Sequence, residues 1–205
     1  MKILAVGPHP DDIEIGCGGS LVKYAARGHD VFLLLITKGG KGGDEDTRYR
    51  EQMKAAEIMG VKDLFWGGFE DTELADKGND LIHTIEGYID SVGPDLIFVN
   101  FFDDSHQDHR TVNTSVLSAT RYVKNVIFYE VPTTNNFTPQ VFVDISEFLD
   151  RKIDALKAHK SQVMKTNIEG LSIIEVARSS ANFRGIQGRV KYAEAFSALR
   201  LFINV

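Results

Sequence analysis

Short apolar runs rich in β-branched residues alternate, up to Glu130, with longer segments of mixed polarity. Ile3–Val6, Val31–Ile36, Leu64–Trp66, Leu96–Asn100 and Val126–Tyr129 read as strands, each bounded by turn-forming residues. Between them Gly19–Arg27, Arg48–Met59 and Leu81–Ser91 carry helical patterning; the second sets Met53, Ala56, Ile58 and Met59 toward one side and stops at Gly60. This alternation predicts an α/β, Rossmann-like three-layer sandwich: a mostly parallel sheet with helices on both faces. After Glu130 the pattern thins. Val141–Val143 is a further strand candidate, and Ser146–His159 reads as a helix capped by Ser146 with Phe148, Leu149, Ile153 and Leu156 as its buried stripe. Ile168–Ala177 reads as helical, and Ala195–Val205 as either a helix or a closing strand. Neither a repeat nor a linker divides the chain, so residues 1–205 are expected to form one domain, with Gly39–Gly43 and Asp44–Asp46 as a mobile loop.

Composition narrows the classes of function. The 205 residues are 43% hydrophobic and 25% charged, as in one ordinary globular domain. A net charge of −6 offers no broad attraction to nucleic acid or to an anionic membrane. The longest apolar run, Val31–Ile36, falls far short of the roughly 20 residues a membrane-spanning helix needs. The start, MKILAVG, runs directly into charged residues and lacks the apolar core of a secretory leader, so a cytoplasmic location is expected. Cys17, the single cysteine, cannot form an internal disulfide.

The chemistry gathers in two places. The first strand leads into Gly7-Pro8-His9-Pro10-Asp11-Asp12-Ile13-Glu14, and the fourth into Asp103-Asp104-Ser105-His106-Gln107-Asp108-His109. In a sheet of order 3-2-1-4-5, strands one and four are neighbours where the winding reverses, the crevice in which such folds bind ligands. Two histidines and a carboxylate, with a fourth position left to water, make a catalytic zinc site; structural zinc takes four protein ligands, usually thiolates. We assign His9, Asp12 and His109 as the zinc ligands, the first two lying three residues apart across a tight turn. Asp11 is then free to accept a proton from water at the metal, or to cap the segment that follows. His106, with Asp108 holding its ring and favouring the imidazolium, can stabilise an oxyanion or protonate a leaving amine; the alternative for Asp108 is to orient His109. Together these residues describe metal-assisted hydrolysis of an amide.

HPDDIEIGCGG and the later HQDH resemble the N-acetylglucosaminyl-phosphatidylinositol deacetylases and their soluble bacterial relatives, called LmbE-like, over most of the chain. The resemblance implies zinc on His9, Asp12 and His109. It implies a substrate-contacting Arg48, matched in Arg48-Tyr49-Arg50-Glu51, which read without it would make only solvated ion pairs. Ser161-Gln162, Arg184-Gly185 and the stretch Tyr192-Ala193-Glu194-Ala195-Phe196 look like the bacillithiol-type branch. Pro8 and Ile13 depart from many relatives, and Glu14 stands one place later than their glutamate, which leaves its role open. The implied activity is zinc-dependent removal of acetyl from N-acetylglucosamine carried on a small soluble aglycone, by a homo-oligomer. Competing readings are an amidase of a thiol-sugar conjugate, a Mg²⁺-dependent nucleotide-binding protein and a non-catalytic zinc module. Gly16, Gly18 and Gly19 lack dinucleotide spacing and are expected to pack a helix closely on the sheet. Cys17 reads as a small buried residue, and His29, His83 and His159 as surface or packing residues. Phe101 and Phe102 read as a sugar-stacking wall or as core.

Overall fold

The computed structural model describes residues 1–203. Five strands, β1 (Lys2–Gly7), β2 (Asp30–Thr37), β3 (Asp63–Phe69), β4 (Leu96–Asn100) and β5 (Val126–Tyr129), pair in parallel in the order β3-β2-β1-β4-β5. Two more, β6 (Val141–Asp144) and β7 (Ala193–Arg200), complete the sheet, with β7 antiparallel to both β5 and β6. Successive residues of β1 point to opposite faces. Ile3 and Ala5 enter a core shared with α1 (Asp12–Ala26), α2 (Glu45–Met59) and α5 (Leu149–Ala158). Leu4 and Val6 enter another, closed by α3 (Gly78–Val92) and α4 (Gln107–Ala119). The last helix, α6 (Ile173–Gly188), stacks Ala177 and Ala181 on Ile153 and Leu156 of α5. The expected three-layer architecture and strand order are present, and the closing segment is a strand; positions 204 and 205 of the Ala195–Val205 stretch lie outside the described residues.

Several element boundaries differ from expectation. Helix α1 starts at Asp12 rather than Gly19, so the glycines lie inside it. A Cβ at Gly16 would collide with the Tyr129 ring, and one at Gly19 would lie 2.8 Å from Ile145. Only glycine allows this closeness of helix and sheet, and it leaves no cradle for a phosphate. The N–H groups of Gly19 and Ser20 donate to the Glu194 carboxylate of β7 at 2.8 and 2.7 Å, and Glu194 is paired at 2.6 Å with buried Lys152 of α5. Helix α2 starts at Glu45, where Asp44 accepts from the Thr47 N–H, and ends at Gly60 with φ 76°. It buries Ala55, Ala56 and Met59 but turns Met53 outward. Ser146 caps no helix: it binds the Asp144 carboxylate in the preceding turn, and α5 begins at Leu149. Helix α6 begins at Ile173, fixed by a reciprocal Ser172–Glu175 capping box, rather than at Ile168. No helix among the described residues is long and apolar enough to cross a membrane.

Candidate active site

Because β1 and β4 are adjacent, the turns leaving Gly7 and Asn100 open at the same sheet edge. Asn100 ties them down: its side chain donates to the His109 carbonyl at 2.9 Å, and its own carbonyl accepts from Asn113 of α4 at 2.7 Å. His9, Asp12 and His109 come together there, all buried. One oxygen, Asp12 Oδ2, lies 3.2 Å from His9 Nδ1 and 3.2 Å from His109 Nε2. Each ring's other nitrogen is anchored on carboxylates. His9 Nε2 is 3.1 Å from both Asp108 Oδ2 and Asp71 Oδ1, and His109 Nδ1 is 3.0 Å from Asp104 Oδ2.

This donor set fits a divalent cation. Tetrahedral zinc with bonds of about 2.0–2.1 Å spaces its ligand atoms about 3.3 Å apart, close to the 3.2 Å that separates Asp12 Oδ2 from a nitrogen of each ring. Carboxylates behind the rings fix the tautomer that turns a lone pair toward the ion. Two sets of three side chains bring metal-competent atoms within 4.8 Å of one another, His9 with His106 and His109, and His9 with Asp71 and Asp108. Burial alone would depress the basicity of His9 and His109, but the surrounding carboxylates raise both, His109 to about 9. Without a cation, both rings are thus drawn toward their protonated form. The same partners hold Asp12 far below the usual carboxylate range despite its burial.

Asp11 precedes α1 with φ 89° and ψ −25°, a left-handed conformation that costs a non-glycine residue roughly 1–2 kcal/mol. Its carboxylate caps no N–H of the helix and faces the pocket. Burial, with help from Asp12 and Glu14 and against His159 and Arg48, raises its pKa to about 6. His106, the N-cap of α4, accepts from the Asp108 N–H on Nδ1 at 3.2 Å, so a neutral ring carries its proton on Nε2. Burial and the neighbouring His9 and His109 lower its pKa. The Asp108 carboxylate holds neither His106 nor His109. It binds His9 Nε2 and the Thr72 N–H, so the imidazolium expected at His106 is not favoured.

Arg48, expected to contact substrate, is among the residues that line the pocket. It is 5% exposed, and its guanidinium donates to the carbonyls of Gly39 at 2.6 Å and Pro10 at 2.8 Å, bracing the two loops that flank the site. The pocket, about 490 Å³, is lined by the polar site residues and by apolar ones that include Ile15, Val131, Leu171 and Val176. Phe101 packs in the core, and neither it nor exposed Phe102 lines this pocket. Arg184 is paired with Glu130 at 2.6 and 2.7 Å away from the pocket lining, and Tyr192 packs beside α5 and α6. Cys17 is fully buried, which pushes its thiol pKa up. Reasoning from sequence missed Asp71, which follows β3 with no motif around it, and Asp104, which stood unassigned among the polar residues after β4. It also missed His159, which is buried with its Nε2 3.7 Å from Glu14 Oε1.

A model of the family described as PIG-L: GlcNAc-PI de-N-acetylase matches residues 4–120. The uncharacterized deacetylase YaiS of Escherichia coli is 36% identical over 167 residues, covering 78% of this chain and 90% of its own. A probable N-acetyl-alpha-D-glucosaminyl L-malate deacetylase 2 of Bacillus cereus is 31% identical over 183 residues, covering 78% and 83%. The crystal structure of the conserved protein TT1542 from Thermus thermophilus superposes with a TM-score of 0.88 at 28% identity, over 99% of this chain and 96% of that one.

Proposed function

The chain belongs to the PIG-L family of GlcNAc-PI de-N-acetylases and is an N-deacetylase, and from that premise we propose the following reaction and site. The enzyme removes acetyl from N-acetylglucosamine joined to a small soluble aglycone, using one zinc ion held by His9, Asp12 and His109. The observation that carries this reading is one carboxylate oxygen, Asp12 Oδ2, lying 3.2 Å from a nitrogen of His9 and 3.2 Å from a nitrogen of His109, each ring's far nitrogen resting on a carboxylate. Bound zinc supplies Lewis acidity, polarising a carbonyl oxygen and acidifying water. Asp11, raised toward neutrality, takes the proton of the attacking water and returns it to the sugar nitrogen as the C–N bond breaks. His106 turns its Nε2–H on the oxyanion of the tetrahedral intermediate. Asp108 holds His9 in place.

Lys41 and Lys165 also line the pocket and suit an aglycone bearing a carboxylate, as in the malate that the Bacillus cereus relative's name carries. The same reading keeps the enzyme cytoplasmic and homo-oligomeric, the latter supported by the exposed Leu201, Phe202 and Ile203 near the carboxyl end. Acetate release should be assayed over a panel of N-acetylglucosaminides, with and without a chelator, on the parent protein and on Asp11→Asn. We expect chelator-sensitive turnover on at least one glycoside, and an Asp11→Asn variant that keeps its metal while losing about 10²- to 10⁴-fold in kcat. Full turnover by that variant would remove Asp11 from the base role.

A further inference from the structure

Two side chains one turn apart on α2 grip a single peptide group of the loop between β1 and α1. Arg48 Nη2 donates to the Pro10 carbonyl at 2.8 Å, while Gln52 Oε1 accepts from the Asp11 N–H at 3.3 Å. The C=O and N–H in question belong to the same Pro10–Asp11 amide, so its plane is held from both polar ends. That plane sets φ of Asp11, the residue in the left-handed conformation.

Which end of the Gln52 amide faces Asp11 is settled one step further back. Gln52 Nε2 donates to Glu14 Oε1 at 2.6 Å, and a carboxylate can only accept, so the amide oxygen is left for the Asp11 N–H. His159 Nε2 stands 3.7 Å from the same Glu14 oxygen, and neither ring nitrogen has a hydrogen-bond partner. Glu14, Gln52 and His159 are all essentially inaccessible to solvent. We propose that Gln52, oriented by Glu14, is a positioning residue that keeps the Asp11 carboxylate aimed at the reacting water. The inference rests on Asp11 as the general base. It gives Glu14 a role behind the metal loop that needs no contact with substrate. A buried polar chain kept only for stability would change the folding free energy without acting selectively on Asp11.

Gln52→Met removes both bonds at nearly constant volume. Its kcat should fall roughly 10- to 100-fold, as displacing a reacting group by about an ångström does, with KM within about twofold. One metal ion per chain, measured by elemental analysis, should remain. Glu14→Met should reproduce the loss, and Glu14→Gln, whose amide oxygen still accepts from Gln52, should recover most of it. Adding Gln52→Met to Asp11→Asn should lower the residual rate no further, because residues acting as one unit are not additive. Parent-like kcat in Gln52→Met would overturn the proposal, as would an equal further loss in the Asp11→Asn background. Full turnover in Asp11→Asn alone would instead remove the base reading on which it stands. Should Gln52→Met fail to fold, the Glu14→Met and Glu14→Gln pair carries the same test: equal losses in both overturn it.

Discussion

Asp104 lies behind the pocket wall, yet its carboxylate decides which nitrogen of His109 faces Asp12. It also accepts from the His106 N–H at 2.8 Å, so one residue orients two histidines of the site. Asp104→Asn keeps an acceptor but not the charge. Metal affinity should fall about 10- to 100-fold, with turnover returning at excess metal, as measured by competition with a coloured chelator. Unaltered affinity would show that the His109 tautomer needs no such support. At this scale the two motifs singled out His9, Asp11, Asp12, His106 and His109, and all five line one pocket. What Asp108, Asp71 and Arg48 touch was not legible. Each reaches a partner distant in the chain, and nothing in the local pattern tells a buried guanidinium on two carbonyls from a solvated one.

The same division holds among elements. Apolar runs located the five parallel strands, four of them nearly fully buried with little alternative and β3 only partly so. Helix starts were misplaced wherever a side-chain cap or a glycine run governs them, as at Asp44, Ser172 and Gly16–Gly19. Helix α4 escaped detection because its first turn is made of site residues and its apolar stripe rests mainly on Val112 and Val116. Close packing of α1 on the sheet gives a direct test. Gly16→Ala forces a methyl group into the Tyr129 ring, whose hydroxyl donates to the Val6 carbonyl at 2.9 Å. Denaturant unfolding should show a loss of about 1–3 kcal/mol or more. An unchanged midpoint would mean that the ring moves aside freely.

For the molecule as a whole, the proposed metal site ties stability to pH. In the metal-free protein His109 titrates at about 9 against an ordinary 6.5, raised by Asp12 and Asp104 over the opposing effect of burial. A raised folded-state pKa stabilises fully below the unfolded value and ceases to do so above the folded one. The thermal midpoint of the chelated protein should therefore drop as pH rises from about 6.5 to 9, while the metal-loaded protein holds its own. The gap between the two curves should widen across that window; parallel curves in calorimetry would contradict the electrostatics of the site. A different dependence follows from Glu194. Its carboxylate, carried on the last strand, takes up N–H groups in the helix that begins at Asp12. During synthesis α1 emerges well before that partner, so these two N–H groups stay without their acceptor until β7 has left the ribosome. A chain cut short of β7 is therefore expected to leave the helix behind the pocket without its carboxylate anchor.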